Sequence, residues 1–119
     1  MSVSAVGGSD PVFAVLNSAL DGLSLRQRVI ADNIANVDTP GFRATSVDFE
    51  SSLRSAIESG GRDEVSAQLL ATDTPVGANG NNVDLRKETL AAVQSQFQYQ
   101  MITRATSDRF DLVKTVAGS

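Results

Sequence analysis

The residues best equipped for chemistry in this 119-residue chain are side-chain carboxylates and amides. Asp38, Asp48 and Glu50 fall in one turn-rich region and could pair as acid and base. Such work needs positioned partners and a proton carrier poised near neutral pH. The chain has no histidine, the commonest such carrier, no cysteine nucleophile and no Gly-rich phosphate loop. Asn79-Gly80-Asn81-Asn82 with Asp84 resembles part of a calcium loop, but the terminal Glu and the ligand spacing are missing. It reads instead as a turn leading into a capped helix. Without Cys or His the usual zinc ligands are gone as well. The expectation is therefore no catalytic residues, no cofactor, no metal and no small-molecule substrate. Function must lie in surfaces.

Composition limits those surfaces. The apolar fraction of 41% permits a core, but five Phe, one Tyr and no Trp make it thin. Aliphatic, helix-forming residues dominate, so helices packed on helices are favoured over a sandwich or barrel. A net charge of −4 without a Lys/Arg cluster argues against nucleic acid. No apolar run reaches the length of a membrane span. Met1-Ser2-Val3-Ser4-Ala5-Val6-Gly7-Gly8 has neither the basic nor the apolar region of a cleaved signal, which suggests a cytoplasmic protein or one exported without a Sec signal. The lack of cysteine suits a chain that crosses compartments.

The elements follow from periodicity, and one domain, 1–119, is expected. Ser9 or Asp10 can cap a helix with Pro11 at its first position. Phe13, Leu16, Leu20, Leu23, Ile30, Ile34 and Val37 then recur at three- and four-residue steps, with Gln27 the single polar step, giving a coiled-coil seam over 11–37. Asn17, Asp21, Ser24, Arg28 and Asp32 fall off it. Asn33 and Asn36 suit a helix end, since Asn tolerates a left-handed cap. Thr39-Pro40-Gly41-Phe42 fits a type II turn, with Gly at the position that needs φ > 0. Residues 38–82 form an extended, mostly irregular middle. Within it, Asp48 caps a short helix carrying Phe49, Leu53, Ala56 and Ile57 on one face, which ends at Gly60-Gly61. Val65, Ala67 and Leu69 alternate as in a short strand. A second long helix, 83–117, starts behind Asp84 with Glu88 in its first turn. Its main stripe is Leu90, Val93, Phe97, Met101, Ala105, Leu112 and Val116, drifting toward an eleven-residue repeat. Ile102, Phe110 and Val113 widen that face enough to touch more than one neighbour. The fold expected is all-α, with the long helices paired as a coiled-coil hairpin. So few aromatics bury little surface. Ordering each residue costs about 1–2 kcal/mol, so both helices are expected to be disordered in the lone subunit and to fold on joining neighbours.

Ala35-Asn36-Val37-Asp38-Thr39-Pro40-Gly41-Phe42 resembles the Asn-rich signature of bacterial flagellar axial proteins (rod, hook and hook-associated subunits). Arg43 to Leu53 continues in the manner of the proximal rod subunits. Gly80-Asn81-Asn82-Val83-Asp84-Leu85 with Glu88, then Gln96-Phe97-Gln98-Tyr99-Gln100, then Phe110-Asp111-Leu112-Val113-Lys114-Thr115, is similar to the C-terminal end of the same proteins. Arg86-Lys87 departs from a more acidic pattern there. Val47-Asp48-Phe49-Glu50 and Gln98-Tyr99-Gln100 favour the proximal subunit over other rod subunits. The resemblance implies a structural subunit exported by the flagellar type III apparatus and polymerised into the basal-body rod. Its partners would be copies of itself and other rod, adaptor and export-gate proteins. The signature turn Ala35, Asn36, Thr39, Pro40, Gly41, Phe42 would shape it, and Phe13 to Val37 with Leu90 to Val116 would supply assembly seams. A soluble coiled-coil adaptor or export chaperone is the alternative. It accounts for the helices but not for the turn signature.

Overall fold

Asp10 starts the first helix in the expected way. Its carboxylate accepts from the Val12 amide at 3.0 Å, and Pro11 occupies the first turn, where no hydrogen bond is lost. The computed structural model describes residues 10–61 and 63–118, so Ser9 as a cap lies outside the described residues. The elements are α1 (Pro11–Ala35), β1 (Thr45–Asp48), α2 (Glu50–Glu58), β2 (Gln68–Ala71) and α3 (Leu85–Gly118). The fold is broadly all-α, with a small two-stranded sheet added to the long helices.

α1 and α3 run antiparallel. Gln27 meets Gln96, Asn33 meets Glu88, and the Phe13 and Phe110 rings lie edge-on at 6.2 Å. Near the far tip Arg109 reaches back to Asp10 at 2.9 Å. The molecule is long and narrow, 64 × 23 × 18 Å. Its radius of gyration is 18.0 Å, against about 13.5 Å for a compact chain of this length.

α1 ends at Ala35, not at residue 37, and Asn36 caps it with φ −106°, so the left-handed cap is not used. The chain turns at Gly41 instead. Gly41 has φ +76° and the Phe42 amide donates to the Thr39 carbonyl at 3.2 Å, as a type II turn requires. β1 then pairs antiparallel with β2, Val47 opposite Leu69. The strand expected at 65–69 thus begins later, and Val65 packs against the core instead. Asp48 accepts from the Ser51 amide and hydroxyl at the start of α2, and the left-handed Gly60 and Gly61 end it. Of the face expected on α2, Phe49 and Ala56 are buried, but Ile57 stands 64% exposed.

The core lies where α1 crosses the ribbon: Ala19, Leu23, Val47 and Phe49, with Leu53, Tyr99 and Ile102 against them. Gly22 is there because a Cβ would sit 2.8 Å from the Phe49 ring. Arg26 clips the layers together. It forks onto Glu50 at 2.6 and 2.7 Å, reaches Gln98 at 3.3 Å and lies 4.8 Å over the Phe49 ring. Among the described residues no helix is long and apolar enough to cross a membrane.

Candidate functional site

Two features concentrate the unusual residues: a junction built of asparagines and an apolar stripe turned outward. The junction joins the turn after α1 to the segment before α3. Asn81 donates from Nδ2 to the carbonyls of Asn36 and Thr39 at 2.8 and 2.7 Å, while its Oδ1 accepts from the Val83 amide at 2.7 Å. Asn82 Oδ1 accepts from the Ala44 amide at 2.6 Å, and its Nδ2 reaches Thr72 Oγ1 at 3.3 Å. Both side chains are buried. The Gly41 amide donates to the Asn79 carbonyl at 2.9 Å, and a Cβ on Gly80 would lie 3.2 Å from the Gly41 Cα. An asparagine carries a donor and an acceptor like those of a peptide group, so each stands in for a missing strand partner. Two irregular segments far apart in sequence are thereby held together by side-chain bonds to backbone groups that lack a strand or helix partner.

Asn33 extends the junction into the hairpin. Its Nδ2 donates to the Thr45 carbonyl at 2.8 Å and to Glu88 Oε1 at 3.1 Å, and its Oδ1 accepts from the Thr45 amide. Burial pushes the Glu88 carboxyl above its ordinary range, with Asp84 adding to the effect and Asn33 and Lys87 opposing it. Glu50 and Asp10 go the other way, each held low by its arginine, Arg26 and Arg109 respectively. Asp48 is held low by the Ser51 amide and hydroxyl. Asp48 and Glu50 are therefore engaged in capping and clipping, and Asp38 is exposed.

Along α3 the residues turned inward are Glu88, Ala91, Ala92, Ser95, Tyr99, Ile102, Thr106, Arg109 and Val113; every other residue of the helix is exposed. Glu88, Ala92, Ser95, Tyr99, Ile102, Thr106, Arg109 and Val113 follow strict four- and three-residue steps, a heptad seam with mixed polar occupants. The stripe expected to form this helix's seam points away. Leu90, Val93, Phe97, Met101, Leu112 and Val116 are between 51% and 68% exposed, and Ala105 is exposed with them. On α1 the offset is a single residue. Leu23 and Ile30 are buried, but the other buried positions are Ala19, Gly22 and Asn33, while Phe13, Leu16, Leu20, Ile34 and Val37 are half-buried. In the signature turn Ala35, Thr39, Pro40 and Gly41 are exposed and Asn36 and Phe42 half-buried. The amphipathic period marked which faces are apolar. It could not say that the hairpin closes on the more polar one. The clue was glycine at mid-helix position 22, where it is costly unless packing requires it. Asn33, two residues before the end of α1, reads locally as a helix-end residue.

Large apolar side chains left exposed along a narrow subunit give it the character of a packing protein, and sequence comparison agrees. Residues 13–43 match the family described as flagella basal body rod protein. The flagellar basal body rod protein FlgB of Bacillus subtilis is 36% identical over 114 residues, covering 85% of this chain and 88% of that protein. FlgB of Borreliella burgdorferi is 33% identical over 119 residues, and FlgB of Escherichia coli 33% over 123, each match covering 82% of this chain and 88% of the relative. The chain belongs to the FlgB family of flagellar basal body rod proteins.

Proposed function

We propose that this chain is a structural subunit of the bacterial flagellar basal-body rod, in its proximal part, and that it polymerises by helix–helix packing. The observation that carries this reading is the outward stripe of α3. Leu90, Val93, Phe97, Met101, Leu112 and Val116 are each more than half exposed along one helix of about 50 Å. Large apolar side chains exposed along one helix face in this way mark an interaction site. In this reading the polar inner seam and the asparagine junction hold the subunit's shape, and the stripe meets neighbouring copies and other rod, adaptor and export-gate proteins. The chain is exported from the cytoplasm by the flagellar type III apparatus and works in the rod where it crosses the periplasmic space, without chemistry of its own.

Two substitutions separate the stripe from the core. Phe97→Asp places a charge on the stripe, where the lone subunit leaves it solvated. The purified protein is expected to keep its helical circular dichroism, while rod assembly and swimming fail in a strain carrying only this variant. Leu23→Asp, in the core, is expected to unfold the subunit, because an unpaired buried charge is strongly unfavourable. Normal swimming with Phe97→Asp would remove the stripe from the assembly contacts. A soluble adaptor would instead be a stable helical dimer that never enters isolated basal bodies.

A further inference from the structure

At one tip of the hairpin, Val12, Val15 and Leu16 of α1 and Ile57 of α2 line an open apolar groove of about 330 Å³. An adjoining hollow shares Val15 and is lined by Asp63 and Glu64, neither of which is ion-paired to a described residue. Toward the other end Leu85, Leu90 and Val93 are 50%, 58% and 51% exposed and, with Arg86 and Thr89, line a shallow hollow on α3. These exposed side chains, about one helical turn apart, are the ridge that α3 offers to a neighbour. Arg86 also has no ion pair among the described residues. The pairs Asn33–Glu88 and Gln27–Gln96 set Leu90 level with the stretch between those two α1 residues. Ridge and groove are then roughly 25 Å apart along the hairpin at the helical rise. A chain cannot fill its own groove with its own ridge.

Building on the rod-subunit reading, we propose that the ridge of one copy seats in the groove of a second, with Arg86 facing Asp63 and Glu64. Two different patches that meet in this way make a heterologous contact, which repeats head to tail instead of closing into a pair. The charges select the occupant. Arg86 on the ridge and Asp63 and Glu64 beside the groove make ridge-to-groove the pairing with opposite charges facing, while Asp84 beside Leu85 and Arg54 one turn before Ile57 moderate the contrast. A small molecule is a poor fit, since the groove lacks the convergent polar groups that orient one.

The chain has no cysteine, so introduced thiols report one contact at a time. Ile57→Cys and Leu90→Cys are placed in one chain, expressed in place of the wild type, and isolated basal bodies are oxidised. A ladder of covalent multimers is expected, with each single variant remaining monomeric. Arg86→Glu should weaken the ladder about two- to fivefold, the range for an exposed ion pair, and Asp63→Lys with Glu64→Lys should restore it. Dimers from Leu90→Cys alone overturn the proposal, as does a chain present in basal bodies without a ladder. Absence of the wild-type chain from basal bodies would instead overturn the rod-subunit reading. Where the thiol variant fails to assemble, the charge variants decide through swimming: a defect in Arg86→Glu reversed by the two lysines supports the contact, and no reversal overturns it.

Discussion

Removing the Asn81 amide tests whether the asparagine junction holds the subunit together. Asn81→Ala deletes two bonds donated to the Asn36 and Thr39 carbonyls and one accepted from the Val83 amide. Each net hydrogen bond contributes about 1 kcal/mol, and a buried group left unpaired costs about 1–3 kcal/mol. Asn81 is 7% exposed, so water restores only part of the loss. The expected cost is about 2–4 kcal/mol, a large share of the roughly 5–15 kcal/mol that stabilises a small domain. With a urea slope of about 2 kcal/mol per molar, the midpoint should fall by about 1–2 M. Asn81→Asp refines the test. It keeps the acceptor for Val83 but turns a carboxylate oxygen toward two carbonyls, so it should be at least as harmful at pH 7. Below the ordinary carboxylate range the protonated acid can donate to one carbonyl, and part of the loss should return. The assay is urea unfolding of dilute subunit followed by far-UV circular dichroism at both pH values. A midpoint for Asn81→Ala within about 0.3 M of wild type, equivalent to under 1 kcal/mol, refutes the reasoning.

Three further outcomes follow from the geometry. At Gly41 a Cβ meets nothing within 4 Å, so Gly41→Val is penalised by its φ of +76° alone, at about 1–3 kcal/mol; export should persist while assembly fails, and a normally swimming strain would exclude a fixed turn. Glu88 is raised by burial, so its favourable contribution is present below the ordinary carboxylate range and is lost as pH rises through the folded value. Glu88→Gln should therefore raise the melting temperature at pH 7 and change it little near pH 4, and a fall at pH 7 counts against the buried-carboxylate account. Hydrogen exchange on proven monomer decides how far the expected disorder of both long helices holds. The junction and core within one chain argue for protection of α1 and of α3 up to residue 102, with residues 103–118 fast, because the buried residues of α3 are Glu88 and Ser95. Uniform protection along α3 would contradict that division.

Much of this architecture is written locally. Asp10-Pro11, Asp48, Asp84 and Gly60-Gly61 mark helix ends by their own chemistry, and Pro40-Gly41 fixes the type II turn. The junction was visible only as a set of turn formers. That Asn81 would bind carbonyls at 36 and 39 is a long-range fact which no local pattern encodes. The helix seams were legible as faces but not as partners. Periodicity marks Leu90 to Val116 as the main apolar stripe of α3, and the resemblance makes it an assembly seam, but neither says which face of α3 closes on α1. In a protein that assembles, the most apolar face can be the one left for neighbours. The polar inner seam, Glu88 to Val113, is then sufficient to close a hairpin already pinned by Arg26 and Asn33. A β-ribbon with four paired residues per strand is too short to announce itself, and β2 is exposed along its length.

The central claim is that the subunit closes on its polar seam and offers its apolar stripe to neighbours. A side-chain-resolved reconstruction of the isolated basal-body rod tests it most directly. The account predicts that Leu90, Val93, Phe97 and Met101 touch helices of adjacent subunits, while Asn33 still meets Glu88 and Arg26 still meets Glu50 within each chain. A rod in which those four residues face solvent, or in which α3 has rotated to pack them against its own α1, would contradict it.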